Sequence, residues 1–388
     1  MACFLLLGYL HWWMAIQMTG NVPLKTDQVE DFSGYFCSRP FTFVEVTGWQ
    51  RPKGDVFVCC PTWLDTPIGN IRSGSMDDVW NGPTAQAVRE SILDGSFKYC
   101  RLARCGFLQM KTGPVQKTEA VDDPQMREVI DKGLTKLPYG PREVTCSFDK
   151  SCNLSCPSCR TELIIENGLR DEIEDIQNKL QSEWLRNARW MSITGSGDPF
   201  GSPFFRKWLR SMKREDLPNL ETLHLISNGL LWTRHNWEAI PAEIRALVHT
   251  AAISIDAARP DTYAVNRRRG NFDKLLRNLE FVSELRKNGP ITHMTISMVV
   301  QENNFEEMPE FVALAKRFGF DLVYFSQLVD WGTYPKEELL SRQVHRPQHP
   351  RHRHLLRVLQ MPELRDPIVF LGNLTQLRGQ ADMERIAS

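Results

Sequence analysis

The hydrophobic pattern of the chain changes near residue 140. Beyond it, short apolar, β-branched runs alternate with amphipathic stretches of helical length. The predicted strands are 142–148, 190–194, 221–227, 251–256, 293–300 and 322–328, and the helices between them are 169–187, 203–213, 236–248, 271–287 and 305–318. Such alternation predicts an α/β fold with a parallel sheet. Six units are too few for an eight-stranded barrel, which leaves an open partial barrel or a doubly wound sheet.

The preceding residues have a different pattern. Residues 26–110 combine short strands and turns with one helix around "DDVWNGPTAQAVRESILDG", which predicts a separate small domain. A polar linker is expected at 111–140, the main α/β domain at 141–330, and a basic extension at 331–388. At 388 residues the chain is long enough for two domains or one large one, with ample core.

The first 25 residues are strongly apolar. Their run "MACFLLLGYLHWWMAIQM" has no Lys or Arg ahead of it, lacks a usual cleavage site, and is shorter than the roughly 20 residues of a membrane span. We therefore expect a packing helix or a misassigned start rather than a membrane anchor.

Charge and cysteine content narrow the choice of function. Lys plus Arg and Asp plus Glu both number 47, so no bulk charge favours nucleic acid or an anionic membrane as partner. The ten cysteines are clustered, which points to metal or redox chemistry in a reducing compartment, and hence to a cytoplasmic protein.

Three cysteines follow the first predicted strand of the main domain. Cys152, Cys156 and Cys159 have CxxxCxxC spacing in "SCNLSCPSCR". A structural zinc site and a cubane iron–sulfur cluster normally take four protein ligands. Three thiolates on a cubane leave one iron open to a cofactor or substrate. The alternative is a zinc knuckle completed by a distant Cys or His.

The CxxxCxxC stretch, placed between a strand and a helix, resembles the signature of the radical S-adenosylmethionine (SAM) superfamily, and the resemblance covers about residues 140–330. It implies a partial (β/α)6 barrel with a [4Fe-4S] cluster at Cys152, Cys156 and Cys159. It also implies that SAM binds the open iron and is cleaved reductively, giving a 5′-deoxyadenosyl radical that removes hydrogen from a substrate. A reductant such as flavodoxin or ferredoxin would supply the electron.

The resemblance also assigns residues to SAM binding. "TGSGDPF" at 194–200 looks like the family's Gly-Gly-Glu-Pro motif, and "ISNGL" at 226–230 follows the next strand. The residues implied to bind SAM are Gly197, Asp198, Ser227, Asn228, Ser254, Asp256 and Arg267. Asp198 would accept the ammonium group and Arg267 would reach the carboxylate. The alternative for 194–200 is an ordinary turn. The alternative for Arg268 and Arg269 is the solvated start of a helix.

Two residues depart from the family pattern. Ser158 stands where an aromatic residue usually packs near adenine, and Asp198 is shorter than the usual glutamate.

A second cysteine set lies in the N-terminal domain. Its order of a cysteine, GxxxxC, "IGNI", "DDVWN" and a final cysteine pair resembles the SPASM domain, an auxiliary iron–sulfur module that usually follows the barrel. The implied ligands of a second [4Fe-4S] cluster are Cys37, Cys59, Cys100 and Cys105, with Cys60 as the substitute for Cys59. Zinc is the alternative metal. Cys3 and Cys146 remain spare.

The C-terminal extension contains "RQVHRPQHPRHRH" at 342–354, with His345, His349, His352 and His354. We expect a surface segment over the barrel mouth rather than a site for an anionic substrate. A third metal site there is a weaker hypothesis.

Together these patterns predict a radical SAM oxidoreductase or maturase that acts on a peptide or a small polar, sugar-like substrate. The alternative is a non-catalytic zinc or iron–sulfur protein that binds a partner. No catalytic acid, base or hydrogen donor is assigned.

Overall fold

The polypeptide forms two units whose segments alternate along the chain. The computed structural model describes residues 31–386, so the apolar segment 1–25 and Cys3 lie outside the described residues. Unit one contains residues 31–149, 167–196 and 213–222, and unit two contains 150–166, 197–212 and 223–386. No helix in the described part of the chain is long and apolar enough to cross a membrane.

Unit one contains the N-terminal elements and two of the predicted parallel strands. Its strands are β1 (Tyr35–Cys37), β2 (Phe43–Thr47), β3 (Asp55–Phe57), β4 (Gly69–Asn70), β5 (Val115–Lys117), β6 (Glu143–Ser147) and β7 (Trp190–Ile193). Its helices are α1 (Arg39–Thr42), α2 (Met76–Trp80), α3 (Pro83–Leu93), α4 (Gly106–Met110), α5 (Pro124–Lys132) and α6 (Arg170–Lys179).

The main sheet of unit one has the strand order β7-β6-β2-β3-β4. β2, β6 and β7 run parallel, with Glu45 beside Thr145 and Cys146 beside Ile193, whereas β3 and β4 are antiparallel. Every residue of β2 is buried, as expected for a strand covered on both faces. β1 and β5 pair separately as an antiparallel ribbon.

Unit two contains the remaining predicted strands. Its strands are β8 (Thr222–Ser227), β9 (Thr250–Ser254), β10 (His293–Val300), β11 (Leu322–Gln327) and β12 (Val369–Phe370). Its helices are α7 (Pro203–Ser211), α8 (Arg234–Glu238), α9 (Ala242–Arg245), α10 (Pro260–Asn266), α11 (Phe272–Asn288), α12 (Met308–Phe318), α13 (Lys336–Arg342), α14 (His352–Leu359) and α15 (Thr375–Ile386).

The strands of unit two form a parallel sheet in the order β12-β11-β10-β9-β8. The loops after β8, β9 and β10 leave the sheet at its carboxyl edge, where ligands gather in parallel α/β folds.

Local chemistry sets where several helices begin. The Ser202 hydroxyl accepts hydrogen bonds from the backbone N–H groups of Phe204 and Phe205 and so caps α7. Asn271 caps α11 and Asp123 caps α5 in the same way. Each cap satisfies backbone donors that the first helical turn leaves unpaired.

The α/β class with parallel strands is confirmed, because all six predicted strands form close to their expected bounds. The predicted helix at 236–248 is instead two short helices, α8 and α9, since Pro241 lacks the N–H that a continuous helix needs. The single helix predicted near 77–95 is likewise divided into α2 and α3 at Gly82 and Pro83. The parallel pairing of β2 with β6 and of β12 with β11 was not predicted.

Candidate iron–sulfur and S-adenosylmethionine sites

The three cysteines of the CxxxCxxC stretch lie on a closed loop of unit two, residues 150–166. The Glu166 carboxylate accepts the Lys150 N–H at 2.8 Å, and the Ser151 hydroxyl accepts the Glu166 N–H at 3.0 Å. The Cys152 N–H donates to the Ile164 carbonyl at 3.0 Å. These bonds join the two ends of the loop, so the fold fixes the backbone that carries the cysteines.

The cysteines differ in exposure. Cys152 and Cys156 are buried and Cys159 is exposed. A turn brings the last two together, because the N–H groups of Cys159 and Arg160 both donate to the Cys156 carbonyl at 2.9 Å. Burial raises the pKa of Cys152 to about 12 and also raises that of Cys156. Metal binding must therefore displace thiol protons, as is usual for cysteine ligands.

Each of the three sulfurs accepts at least one N–H donor. Cys152 Sγ accepts the Leu154 N–H at 3.4 Å and the Asn228 amide at 3.6 Å. Cys156 Sγ accepts Arg267 Nη1 at 3.7 Å, and Cys159 Sγ accepts Arg160 Nη2 at 3.5 Å. Donors of this kind stabilise anionic sulfur, so the surroundings of the three cysteines fit thiolate ligands of an iron–sulfur cluster.

Asp198 lies in the loop before α7, one residue after Gly197. Its buried carboxylate accepts four hydrogen bonds: from the N–H groups of Phe200 and Gly201 at 2.9 and 2.7 Å, and from Ser227 Oγ and the Asn228 N–H at 2.9 and 2.8 Å. Burial raises the pKa of Asp198, while these hydrogen bonds oppose the rise.

Those four bonds use the acceptor positions of a carboxylate. Asp198 therefore joins its own loop to the carboxyl end of β8. Its contact with the SAM ammonium group stays a prediction.

The Asn228 amide joins the β8 end to the cysteine loop. Its Nδ2 reaches Asn153 Oδ1 at 3.0 Å in addition to Cys152 Sγ. Space here is tight: a Cβ on Gly201 would lie 2.5 Å from Asn153 Oδ1, so this position requires glycine. Ser227 and Asn228, both predicted from sequence, thus lie beside the predicted cluster cysteines.

Asp256 follows β9 in a left-handed conformation, with φ of 60°. Its Oδ1 accepts the Val299 N–H at 2.8 Å, and its Oδ2 pairs with Arg267 Nη2 at 2.8 Å. Burial would lower the pKa of Arg267, but Asp256 and Cys156 outweigh burial and raise it. Ser254 accepts a hydrogen bond from Ser297 Oγ at 3.2 Å. The structure thus connects Asp256, Arg267 and Cys156 in one buried chain of contacts.

Two polar atoms beside this chain have no partner among the described residues. Both the Tyr263 hydroxyl and Arg267 Nε are buried without a hydrogen bond. The two residues are close in space: the Arg267 backbone N–H donates to the Tyr263 carbonyl at 2.7 Å, and the two side chains interact electrostatically. A buried polar atom without a partner is costly, and a bound ligand is one explanation. These donors fit a polar cofactor such as SAM.

The second cysteine set lies in unit one. Cys37, Cys59, Cys100 and Cys105 line one cavity together with Arg39 and apolar side chains that include Trp63. Cys37 ends β1, Cys59 follows β3, and Cys105 immediately precedes α4. Burial raises the pKa of Cys37, Cys59 and Cys105 to about 12 each. Four cysteines around one enclosed space are the ligand number that a complete cubane needs, so these residues fit the cluster.

Cys60, the substitute candidate, does not line this cavity. Its sulfur lies 3.1 Å from the Thr62 hydroxyl. Cys146 lies within β6 and is fully buried. Among residues 31–386, no three His, Cys, Asp or Glu side chains form a group that could hold one metal ion. In a cubane each thiolate binds a different iron.

The basic C-terminal stretch makes ion pairs within unit two. Arg351 pairs with Glu302 at 2.6 Å and with Glu306 at 2.8 Å, and His354 lies 3.3 Å from Glu306. His349 Nε2 contacts the Ser341 carbonyl at 2.9 Å. Acidic partners thus compensate part of the positive charge.

Sequence reasoning missed Arg160 and Tyr263. Arg160 was detectable in principle as the cation next to the last cysteine. Tyr263 carries no comparable signal, because an aromatic residue in a helix is usually part of the core.

The fold and the site define an α/β protein with two iron–sulfur candidates. Residues 147–315 match the radical SAM superfamily, and residues 37–106 match the SPASM iron-sulfur cluster-binding domain. The chain therefore carries a radical SAM domain preceded by a SPASM domain, which confirms both resemblances. These domains bind a [4Fe-4S] cluster with SAM and an auxiliary iron–sulfur cluster, respectively.

Two curated relatives show similarity in sequence. Mycofactocin maturase MftC of Mycolicibacterium smegmatis is 28% identical over 208 residues, or 51% of this chain and 47% of the relative. GTP 3′,8-cyclase of Petrotoga mobilis is 27% identical over 191 residues, or 48% of this chain and 54% of the relative. The chain spans about half the length of these relatives.

A solved structure of Streptococcus suis SuiB bound to precursor peptide SuiA is 16% identical, with a TM-score of 0.37 over 63% of this chain and 53% of that one. A solved structure of TYW1 with a lysine-pyruvate adduct bound is also 16% identical, with a TM-score of 0.36 over 56% of this chain and 72% of that one.

Proposed function

We propose that this protein is a radical SAM enzyme that abstracts hydrogen from an organic substrate. The observation that carries the proposal is the fixed loop of Cys152, Cys156 and Cys159, in which each sulfur accepts N–H donors. When bound, the cluster and SAM supply a 5′-deoxyadenosyl radical through one-electron cleavage of the sulfonium.

The chain's own residues would hold and orient these groups. Asn228 and Asp198 fix the position of the cysteine loop against the end of β8, and Arg267 joins Asp256 to Cys156. The unpartnered Tyr263 hydroxyl and Arg267 Nε offer donors to polar groups of SAM, including its carboxylate. Gly197 and Ser254 lie in the loop before α7 and at the end of β9, where SAM contacts were predicted.

The SPASM domain would hold an auxiliary cluster through Cys37, Cys59, Cys100 and Cys105. A cluster that is closed by four thiolates has no open iron for SAM, so it would transfer electrons to or from the substrate. A flavodoxin or ferredoxin would be the reductant. The proposal places the protein in the cytoplasm, where thiols stay reduced.

We propose a peptide or a small polar, sugar-like molecule as the substrate. One relative is named as a mycofactocin maturase and the other as a GTP cyclase. The two names therefore include a maturase and an enzyme that acts on a small polar molecule. With a chemical reductant in excess, so that digestion of flavodoxin or ferredoxin has no effect, a cell extract that stimulates turnover before protease treatment but not after it would indicate a peptide substrate.

Anaerobic reconstitution with iron and sulfide tests the proposal. We expect about eight irons per chain if both sites hold cubanes, and release of 5′-deoxyadenosine on reduction with SAM. Cys156→Ala should abolish this product, Cys100→Ala should spare SAM cleavage but impair substrate turnover, and Cys146→Ala is the matched control. Zinc without sulfide, or a reconstituted wild type that cleaves no SAM, would refute the proposal.

A further inference from the structure

The three cysteines of the CxxxCxxC loop accept donors of different charge. Cys152 accepts only neutral amide donors among the contacts above, from Leu154 and Asn228. Cys156 and Cys159 each accept a guanidinium. Two of the three sulfurs therefore accept a hydrogen bond from a cation, whereas Cys152 interacts with the Arg160 charge only through space.

The fold holds both guanidinium groups in place. Arg160 is 7% exposed, and its Nη1 donates to the Lys150 carbonyl at 2.8 Å while its Nη2 points to Cys159. The side chain of Arg267 is 11% exposed, and its Nη2 pairs with Asp256 while its Nη1 points to Cys156. In each arginine, one nitrogen contacts an oxygen that holds the side chain in place, and another donates to a cysteine sulfur.

A third arginine in the same region binds the loop without a contact to sulfur. Arg268 Nε donates to the Ser155 carbonyl at 3.0 Å, and its Nη2 donates to the Thr161 carbonyl at 2.9 Å. Loss of Arg268 would remove a cation and loop hydrogen bonds but no N–H···S contact. It therefore separates the effect of a sulfur contact from the effect of holding the loop.

Reduction adds one negative charge to a cluster that thiolates already make anionic. A cationic N–H donor at a ligand sulfur stabilises the reduced form more than the oxidised form, and burial strengthens this effect because the local dielectric is low. Hydrogen bonds to sulfur and net charge are established determinants of cluster potential.

We propose that Arg160 and Arg267 are positioning residues that raise the reduction potential of the cluster at Cys152, Cys156 and Cys159. The inference rests on the proposed function, since it requires a cluster at these cysteines. Its consequence is that a weaker reductant suffices to start turnover.

The test is a potentiometric titration of the reconstituted full-length protein, followed by electron paramagnetic resonance. The signal that changes on addition of SAM identifies the cluster in question. We expect Arg160→Gln and Arg267→Gln each to weaken reduction about tenfold, which lowers the midpoint by about 59 mV for one electron. Arg160→Lys keeps the charge and should recover part of the shift, and Arg268→Gln should keep the wild-type midpoint.

The possible failures are distinguishable. Wild-type midpoints in Arg160→Gln and Arg267→Gln, with full iron content, would overturn this inference and leave the proposed function standing. Equal loss of iron in Arg160→Gln and Arg160→Lys would also overturn the inference, because Arg160 would then be needed to hold the cluster rather than to set its reduction potential. A wild type without a SAM-sensitive cluster would refute the proposed function itself.

Discussion

Asp198 offers the sharpest quantitative test of the site geometry. The change Asp198→Asn keeps the size of the side chain but replaces one acceptor oxygen by an NH2 group. If the NH2 group faces the N–H groups of Phe200 and Gly201, both lose their acceptor. If it faces β8, the Ser227 hydroxyl can turn and accept it, so only the Asn228 N–H loses its acceptor.

The cost follows from burial. Asp198 is 1% exposed, so water cannot replace the lost acceptor. A buried donor without a partner costs about 1–3 kcal/mol. At least one such donor results, so the stability of this region should fall by about 1–3 kcal/mol, above the 0.5 kcal/mol or so that bounds most surface changes.

Hydrogen exchange of the metal-free protein measures this loss of stability in individual segments of the chain. At 1.4 kcal/mol per tenfold, the lower bound of about 1 kcal/mol predicts that peptides covering 198–202 and 227–230 exchange about fivefold faster in Asp198→Asn. The exposed acid Asp261, changed to Asn, serves as control and should leave these peptides unchanged. Wild-type exchange in Asp198→Asn would refute the four-bond geometry and return Asp198 to the role of a free SAM ligand.

Further changes test other parts of the chain. Burial lowers the pKa of His224 to about 3, below the value of about 6.5 in the unfolded chain. The unfolded state therefore binds a proton more readily, so the folded protein becomes less stable as the pH drops below 6.5, by about 2 kcal/mol at pH 5. The melting temperature of His224→Asn should therefore fall less between pH 7 and 5 than that of the wild type, whereas exposed His235→Gln should keep the wild-type slope. Cys59→Ser should remove about half of the iron and Cys60→Ser none, as counted by iron and sulfide assays; the reverse result would exchange the two cysteines. Lys53 is buried and its ammonium donates to two backbone carbonyls at 3.2 and 3.0 Å, so Lys53→Met should destabilise by about 2 kcal/mol or more, and an unchanged melting temperature would contradict this.

The fold was predictable where the signal is local. The strands β6 to β11 are apolar, β-branched runs, and their positions follow from the hydrophobic pattern alone. The pairing of β2 with β6 was not predictable in the same way, because it joins segments about a hundred residues apart and nothing in "FVEVT" specifies a parallel neighbour. The division of the 236–248 helix was readable from Pro241.

The site shows the same division between local and distant signals. The three candidate cysteines could be singled out from the sequence because CxxxCxxC spacing is local and its chemistry is specific. The contact between Arg267 and Cys156 Sγ was not predictable, since Arg267 lies 111 residues beyond Cys156 and reaches it only because the fold brings α10 and its following turn to the cysteine loop. Asp198 illustrates the converse: its place in the motif was foreseen, but three of its four hydrogen bonds come from backbone N–H groups that no sequence pattern records. A motif therefore identifies which residues hold the cofactor, whereas the charge and hydrogen bonding around them, which decide how the cofactor behaves, follow only from the tertiary contacts.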